Sequence, residues 1–140
     1  MEFKSFKIMY AETMMHYQRI ERDIKIIYSF MLNGDVDENF VNVEYQTLGN
    51  MIKKLKELDE SDDCPYINPQ DYNFLIQICD NRNHWAHNVF AEFIYEENFE
   101  NGKSYKKQCK KLIKDYNRVE KAANILEKIR FEYCHNSNNN

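Results

Sequence analysis

Arg82, Asn83 and His87 lie in the one stretch of this chain whose residue types and spacing suggest chemistry. An arginine can hold a phosphate through two hydrogen bonds, and a histidine titrates near neutral pH, so it can accept or donate a proton. Together they could promote attack of an RNA 2′-hydroxyl on the adjacent phosphate, with Arg82 stabilising the charge that develops on the phosphate oxygens. Such a reaction requires no metal and no other cofactor.

The helical pattern around these residues determines whether they can meet. Apolar side chains recur at helical spacing from Tyr72 to Phe93, and Arg82 occupies a position in this stripe where the pattern expects an apolar residue. Five residues of regular helix correspond to about 500° of rotation, which leaves Arg82 and His87 about 140° apart. Their convergence therefore needs the reach of the arginine, a second subunit, or a bend at 80–84, where helix-capping residue types interrupt the stripe.

Spacing alone does not single out a site, because Arg130 and His135 repeat the same interval near the C-terminus. The two pairs differ in context, since Arg82 is followed by an asparagine and lies inside a helical stripe, whereas the second pair leads into a polar tail. A structural interpretation of the first pair stays open. In it, Arg82 pairs with an acidic side chain of the bundle, such as Asp80 or Glu92.

Two more residues of the stretch, His84 and Trp85, are candidate substrate-binding residues. Trp85 could stack on a base, although a lone tryptophan in such a helix is more often part of the core or of an interface. His84 and His87 are three positions apart and could share a helical face as metal ligands. No carboxylate or cysteine nearby in the sequence completes such a set, so we predict no metal site, and a structural or helper role for His84.

The elements that position this stretch are all predicted to be helices. Three glycines and two prolines in 140 residues favour long helices over a turn-rich β-fold. Thr47 and the pair Asn68-Pro69 are typical of helix starts. The apolar stripes predict helices at 2–32, 47–58, 69–98 and 104–133, with a loop at 34–45. We therefore expect one all-α domain at 1–134, an up-and-down bundle of four or five nearly antiparallel helices, and a disordered polar tail at 135–140.

Composition limits the classes of function. The net charge of −4 argues against general electrostatic binding of nucleic acid, although six lysines fall within twelve residues between Lys103 and Lys114. Such a run is more often a solvated helix face than a binding surface. The four cysteines show no metal-ligand or Cys-x-x-Cys spacing, which indicates free thiols in a reducing cytoplasm. No apolar segment is long enough to span a membrane.

The arrangement Arg82-Asn83-x-x-x-His87, on the third helical segment of a small all-helical domain, resembles the HEPN superfamily. The family motif is an arginine followed after four to six residues by a histidine, commonly with a polar residue after the arginine. The resemblance implies an α-helical bundle that dimerises around a shared cleft, and a metal-independent endoribonuclease of toxin–antitoxin or other defence systems. Carried over, Arg82 and His87 are the catalytic pair and Asn83 is the polar helper.

Members of this superfamily have also lost catalysis, which leaves other functions open. A catalytically silent helical dimer could act as a protein-interaction module, an antitoxin or an immunity factor, and a nucleotide-binding regulator could use the same residues without cleavage. For the enzyme, the expected partners are an RNA substrate, a second copy of the chain, and an antitoxin or regulatory protein.

Overall fold

A computed structural model describes residues 1–138, and in this range the chain forms five α-helices. These are α1 (Phe3–Met31), α2 (Val36–Val43), α3 (Leu48–Asp59), α4 (Pro69–His87) and α5 (Lys103–Asn138), with a short 3-10 helix at Phe99–Asn101. The predicted all-α bundle is confirmed. Helix α5 extends past His135, where we expected the disordered tail to begin, and residues 139 and 140 lie outside the described range.

Two predicted helix starts are confirmed by their capping hydrogen bonds. The Thr47 hydroxyl accepts a hydrogen bond from the Asn50 backbone N–H at 3.3 Å and begins α3. The Asn68 side-chain oxygen accepts one from the Asp71 N–H at 2.8 Å and begins α4, with proline at the first helical turn. These bonds satisfy backbone donors that the first turn of a helix leaves without a partner.

The predicted loop at 34–45 is wrong, because α2 occupies most of it. The Asp35 carboxylate caps this helix by accepting from the Glu38 N–H at 2.9 Å. The buried Asn39 amide donates to the carbonyls of Ser29 and Leu32 at 3.1 and 3.2 Å, which ties α2 to the end of α1. A helix of eight residues is too short to show an apolar stripe, so its only sequence signal was the capping type at Asp35.

The predicted end of the third helix at Asn98 is also wrong, because α4 ends at His87 and residues 88–98 form a series of turns. The stripe continued to Phe93 because the turns still bury Val89 and Phe93 completely or nearly so. Asn98 has a left-handed backbone with φ of 52° and leads into the 3-10 helix. Apolar side chains of this segment are thus buried at helical intervals although its backbone forms turns and not a helix.

Successive helices run in alternating directions, so the bundle is up-and-down. Because α2 makes five helices in all, the first and the last run in the same direction. Helices α4 and α5 are antiparallel, since Gln77 meets Arg118 and His84 meets Gln108. Helices α1 and α5 are parallel and make the most extensive contact of the bundle. The Tyr105 hydroxyl, near the start of α5, donates to the carbonyl of Met1 at 3.0 Å. The nearly antiparallel packing expected from the stripes therefore holds for successive helices but not for this pair.

An aromatic cluster anchors the connection between α4 and α5. Its six rings pack mostly edge to face at centroid distances of 5.0 to 6.4 Å, and they are Phe3, Phe6, Phe90, Phe93, Phe99 and Tyr105. Three of them belong to the connection itself, so 88–102 is held against the starts of α1 and α5.

Within the described residues no helix is long and apolar enough to cross a membrane.

Candidate functional site

The candidate site lies on the last turns of α4, which is one unbroken helix through residues 80–84. The bend or helix break that the capping residues at 80–84 suggested is absent. The Asn81 side chain contacts α5 and does not cap a new helix. Its amide donates to the Asp115 carboxylate at 3.3 Å. Position 82 lies on the inward side of α4, since it follows the buried Ile78 by four residues and precedes the buried Trp85 by three.

Arg82 is half-buried and has neither a hydrogen bond nor an ion pair within the described part of the chain. Its neighbours are Tyr17 of α1 and Cys79 of α4. Burial raises the pKa of Tyr17 and the nearby Asp115 raises it further, while the charges of Arg118 and Arg82 oppose the rise. The expected alternative, a salt bridge between Arg82 and Asp80 or Glu92, is not formed.

His87 is the last residue of α4 and is exposed to solvent. It belongs to an outward stripe of α4 whose members are all exposed and repeat at helical spacing: Ile76, Asp80, Asn83 and His87. Asn83, the expected polar helper, thus lies on the same side as the histidine. Because the helix is unbroken, Arg82 and His87 keep the separation of about 140° expected for a regular helix. One chain does not bring the two catalytic candidates together.

His84 is partly buried and is held by residues outside α4. Its Nε2 lies 2.9 Å from Oε1 of Gln108, and its Nδ1 lies 3.8 Å from Oε1 of Glu92. The amide of Gln108 also donates to the carboxylate of Glu92, which closes the three side chains into one network. His84 therefore links α4, α5 and the connection between them, which is the structural role considered from the sequence.

Trp85 is completely buried, so its ring cannot stack on a base as the substrate-binding interpretation required. Its indole N–H donates to the Asp115 carboxylate at 2.9 Å, and its backbone carbonyl accepts from the Tyr10 hydroxyl at 2.8 Å. The Lys111 amine lies 5.9 Å from the centre of the ring. Trp85 is a core residue that fixes the end of α4 against α1 and α5.

A groove of about 510 Å³ runs between α3 and α4 beside the outward stripe. Its floor is largely apolar and includes Ile52, Ile76 and Cys79. Burial raises the pKa of the Cys79 thiol, and Asp80 raises it further, so this cysteine is held as the neutral thiol. The rim carries charges of both signs, among them Lys53, Lys56, Glu57, Glu60 and Asp80.

Asp115 and Gln108, which hold α4 on α5, were not predicted from the sequence. Asp115 is 4% exposed and accepts from both Trp85 and Asn81, and Gln108 is 2% exposed. The sequence did contain one signal for Asp115. It lies three residues after Leu112 and four before Val119, which places an acid in the inward stripe of α5. A buried indole needs an acceptor, which an inward carboxylate can supply.

Among the described residues, no group of three or more histidines, cysteines and carboxylates is placed to hold a metal ion. Comparison of the chain with family models, with curated proteins and with solved structures finds no match in any of the three.

Proposed function

We propose that this chain is a metal-independent endoribonuclease of the HEPN type, in which Arg82 and His87 act together in a site shared by two copies of the chain. The observation that carries the proposal is the state of Arg82. Arg82 is half-buried and its guanidinium has no hydrogen bond or ion pair among the described residues, so its donors are free for the acceptors that an RNA phosphate would supply. His87, exposed at the end of the same helix, is accessible to the same substrate.

The proposed reaction is internal transesterification of RNA. His87 removes the proton from a ribose 2′-hydroxyl, and the 2′-oxygen forms a bond to the adjacent phosphorus while the bond to the 5′-oxygen breaks. The leaving oxygen takes a proton from water, His87 releases its own proton to the solvent, and the products end in a 2′,3′-cyclic phosphate and a 5′-hydroxyl. Arg82 donates to the non-bridging oxygens as their charge increases, and Asn83 donates to the phosphate or ribose.

A second copy of the chain supplies the convergence that one helix lacks. Since Arg82 and His87 point about 140° apart on α4, we propose that Arg82 of one subunit acts with His87 of the partner subunit. A two-fold dimer presents the same surface from both subunits and forms two such sites. The groove beside Ile76 suits this contact, because an apolar floor with charges of both signs at its rim can be self-complementary.

We further propose a biological setting from the family resemblance. The enzyme would be a toxin or defence effector that acts on cytoplasmic RNA, where its four cysteines remain thiols. An antitoxin or regulatory protein would control it.

The alternative is a catalytically inactive helical dimer that serves as a protein-interaction, antitoxin or immunity, or nucleotide-binding module. The unbroken helix that separates Arg82 from His87 favours it, as does the position of Arg82 near Tyr17, a buried residue on which the charge of Asp115 also acts. In this interpretation Arg82 offsets a buried negative charge and has no role toward a ligand.

Incubation of the purified protein with mixed cellular RNA, with and without EDTA, distinguishes the two. We expect cleavage that is unchanged in EDTA, because both proposed groups act without a metal, and products with 2′,3′-cyclic phosphate ends. Loss of cleavage in EDTA that returns with added Mg²⁺ would contradict the mechanism. A folded dimer that cleaves none of the RNA would support the inactive module.

A further inference from the structure

The outer face of α5 carries a continuous row of lysines, which we call the lysine strip. Each member lies three, four or seven residues from another member, so they share one side of the helix: Lys103, Lys106, Lys107, Lys110, Lys111, Lys114 and Lys121. All are exposed except Lys111, which is half-buried. Eighteen residues of helix give the strip a length of about 27 Å.

The lysines of the strip form no ion pairs within the described residues, and the nearest acids in the preceding segment are Glu92, Glu96, Glu97 and Glu100. None of its ammonium groups has an ion pair or a hydrogen bond among residues 1–138. The only acids of α5 within the strip's length are Asp115, which is buried against α4, and Glu120, which lies on the side facing His16 of α1. Like charges at these spacings destabilise a helix, so the arrangement is unfavourable in the absence of an anion.

The strip passes beside the proposed site. Helix α5 runs antiparallel to α4, and Asp115 and Gln108 hold it against Asn81 and His84. At this contact Lys111 lies over the ring of Trp85. Trp85 precedes His87 by two residues. A polyanion lying along α5 would therefore pass Lys111 close to the end of α4, where the carboxylate of Glu92 lies beside His84.

We infer that the lysine strip is the track that binds the phosphate backbone of the RNA substrate and leads it to the end of α4. The inference rests on the proposed function for the choice of RNA as the polyanion. Charge complementarity supports it, because a row of unpaired cations on an acidic protein is a local surface for phosphates and not a property of the whole molecule. Contacts of this kind carry no base specificity, so the strip would bind RNA of any sequence.

Binding can be measured apart from cleavage with a fluorescent single-stranded RNA of about 20 nucleotides whose 2′-oxygens are methylated, which blocks the reaction. Fluorescence anisotropy would compare the wild-type protein with two variants. In the first, Lys106, Lys107, Lys110 and Lys114 are replaced together by glutamine, a residue of similar helix propensity. In the control, Lys4, Lys7, Arg22 and Lys54 of α1 and α3, which lie outside the groove proposed for the dimer contact, are replaced in the same way, so both variants lose four positive charges.

We expect the strip variant to bind the RNA at least about tenfold more weakly, with a dependence of log K on log salt that is less steep by about 3, since each phosphate contact on a single strand contributes about 0.7. The control should stay within about threefold of the wild type. Equal losses in the two variants, no RNA binding by the folded wild type, or binding to phosphatidylserine vesicles in place of RNA would each overturn the inference. RNA binding that depends on the strip, without cleavage of natural RNA, would support the inference about the lysine strip. The same result would contradict the proposal that the chain is a ribonuclease.

Discussion

At the scale of single residues, Arg82 and His87 differ sharply in environment although five positions separate them. The arginine takes a place in the inward stripe of α4 among buried side chains, whereas the histidine ends the helix in solvent. Removing the histidine should therefore affect only chemistry. Removing the arginine also changes the interior around Tyr17, so its effect on cleavage needs a parallel measurement of stability.

The substitution His87→Ala should reduce RNA cleavage by at least about 100-fold, because it removes the group that we propose transfers the proton. The free energy of unfolding should change by less than about 0.5 kcal/mol, since the side chain is exposed and makes no described contact. Cleavage assays and urea denaturation on the same preparation measure both. The matched control is His135→Ala, because His135 follows Arg130 at the same spacing on α5. Equal activity of the two variants would contradict the assignment.

At the scale of elements, the end of α4 is positioned by polar contacts that a stripe analysis does not predict. Asp115 accepts from Trp85 and Asn81, and Gln108 contacts His84, so α4 and α5 meet through side-chain hydrogen bonds between buried groups. Such contacts fix the register of the two helices more narrowly than apolar packing does, because each donor needs its own acceptor. The exposed stripe with His87 owes its orientation to them.

We expect Asp115→Ala to destabilise the fold by about 2 to 4 kcal/mol, because it leaves the buried Trp85 indole N–H and the Asn81 amide without an acceptor. Urea denaturation followed by tryptophan fluorescence measures this directly, since the chain has one tryptophan. Asp80→Ala is the control, because Asp80 is an exposed acid of α4, and its loss should cost less than about 0.5 kcal/mol. Equal stabilities for the two variants would contradict the role given to Asp115.

The long helices could be predicted from the sequence because each buries one apolar stripe. The stripe of α1 is confirmed from Thr13 to Ile27, and the caps at Thr47 and Asn68 are confirmed as well. Helix α2 and the turns at 88–98 could not be predicted, because a short helix and a buried turn have no characteristic period. The position of Arg82 in the inward stripe could be predicted from the sequence. The burial of Trp85 could not, because its indole N–H needs a hydrogen-bond acceptor that lies 30 residues away.

At the scale of the whole molecule, the proposed site depends on a second copy of the chain. A regular α4 separates Arg82 from His87 by about 140° in each subunit, so a shared site must take the arginine from one subunit and the histidine from the other. The bundle leaves the outward stripe of α4 and the adjoining groove uncovered for this contact. In the proposed two-fold dimer two sites would form, and each would need both subunits.

The most direct test is a heterodimer of the Arg82→Ala and His87→Ala chains, obtained by co-expression with two different affinity tags and purified through both. Each variant alone should be inactive. In the heterodimer one of the two sites keeps both residues, so we predict about half of the wild-type RNA cleavage in EDTA. A heterodimer as inactive as its parent variants, although folded, would show that Arg82 and His87 do not act across the subunits and would contradict the account.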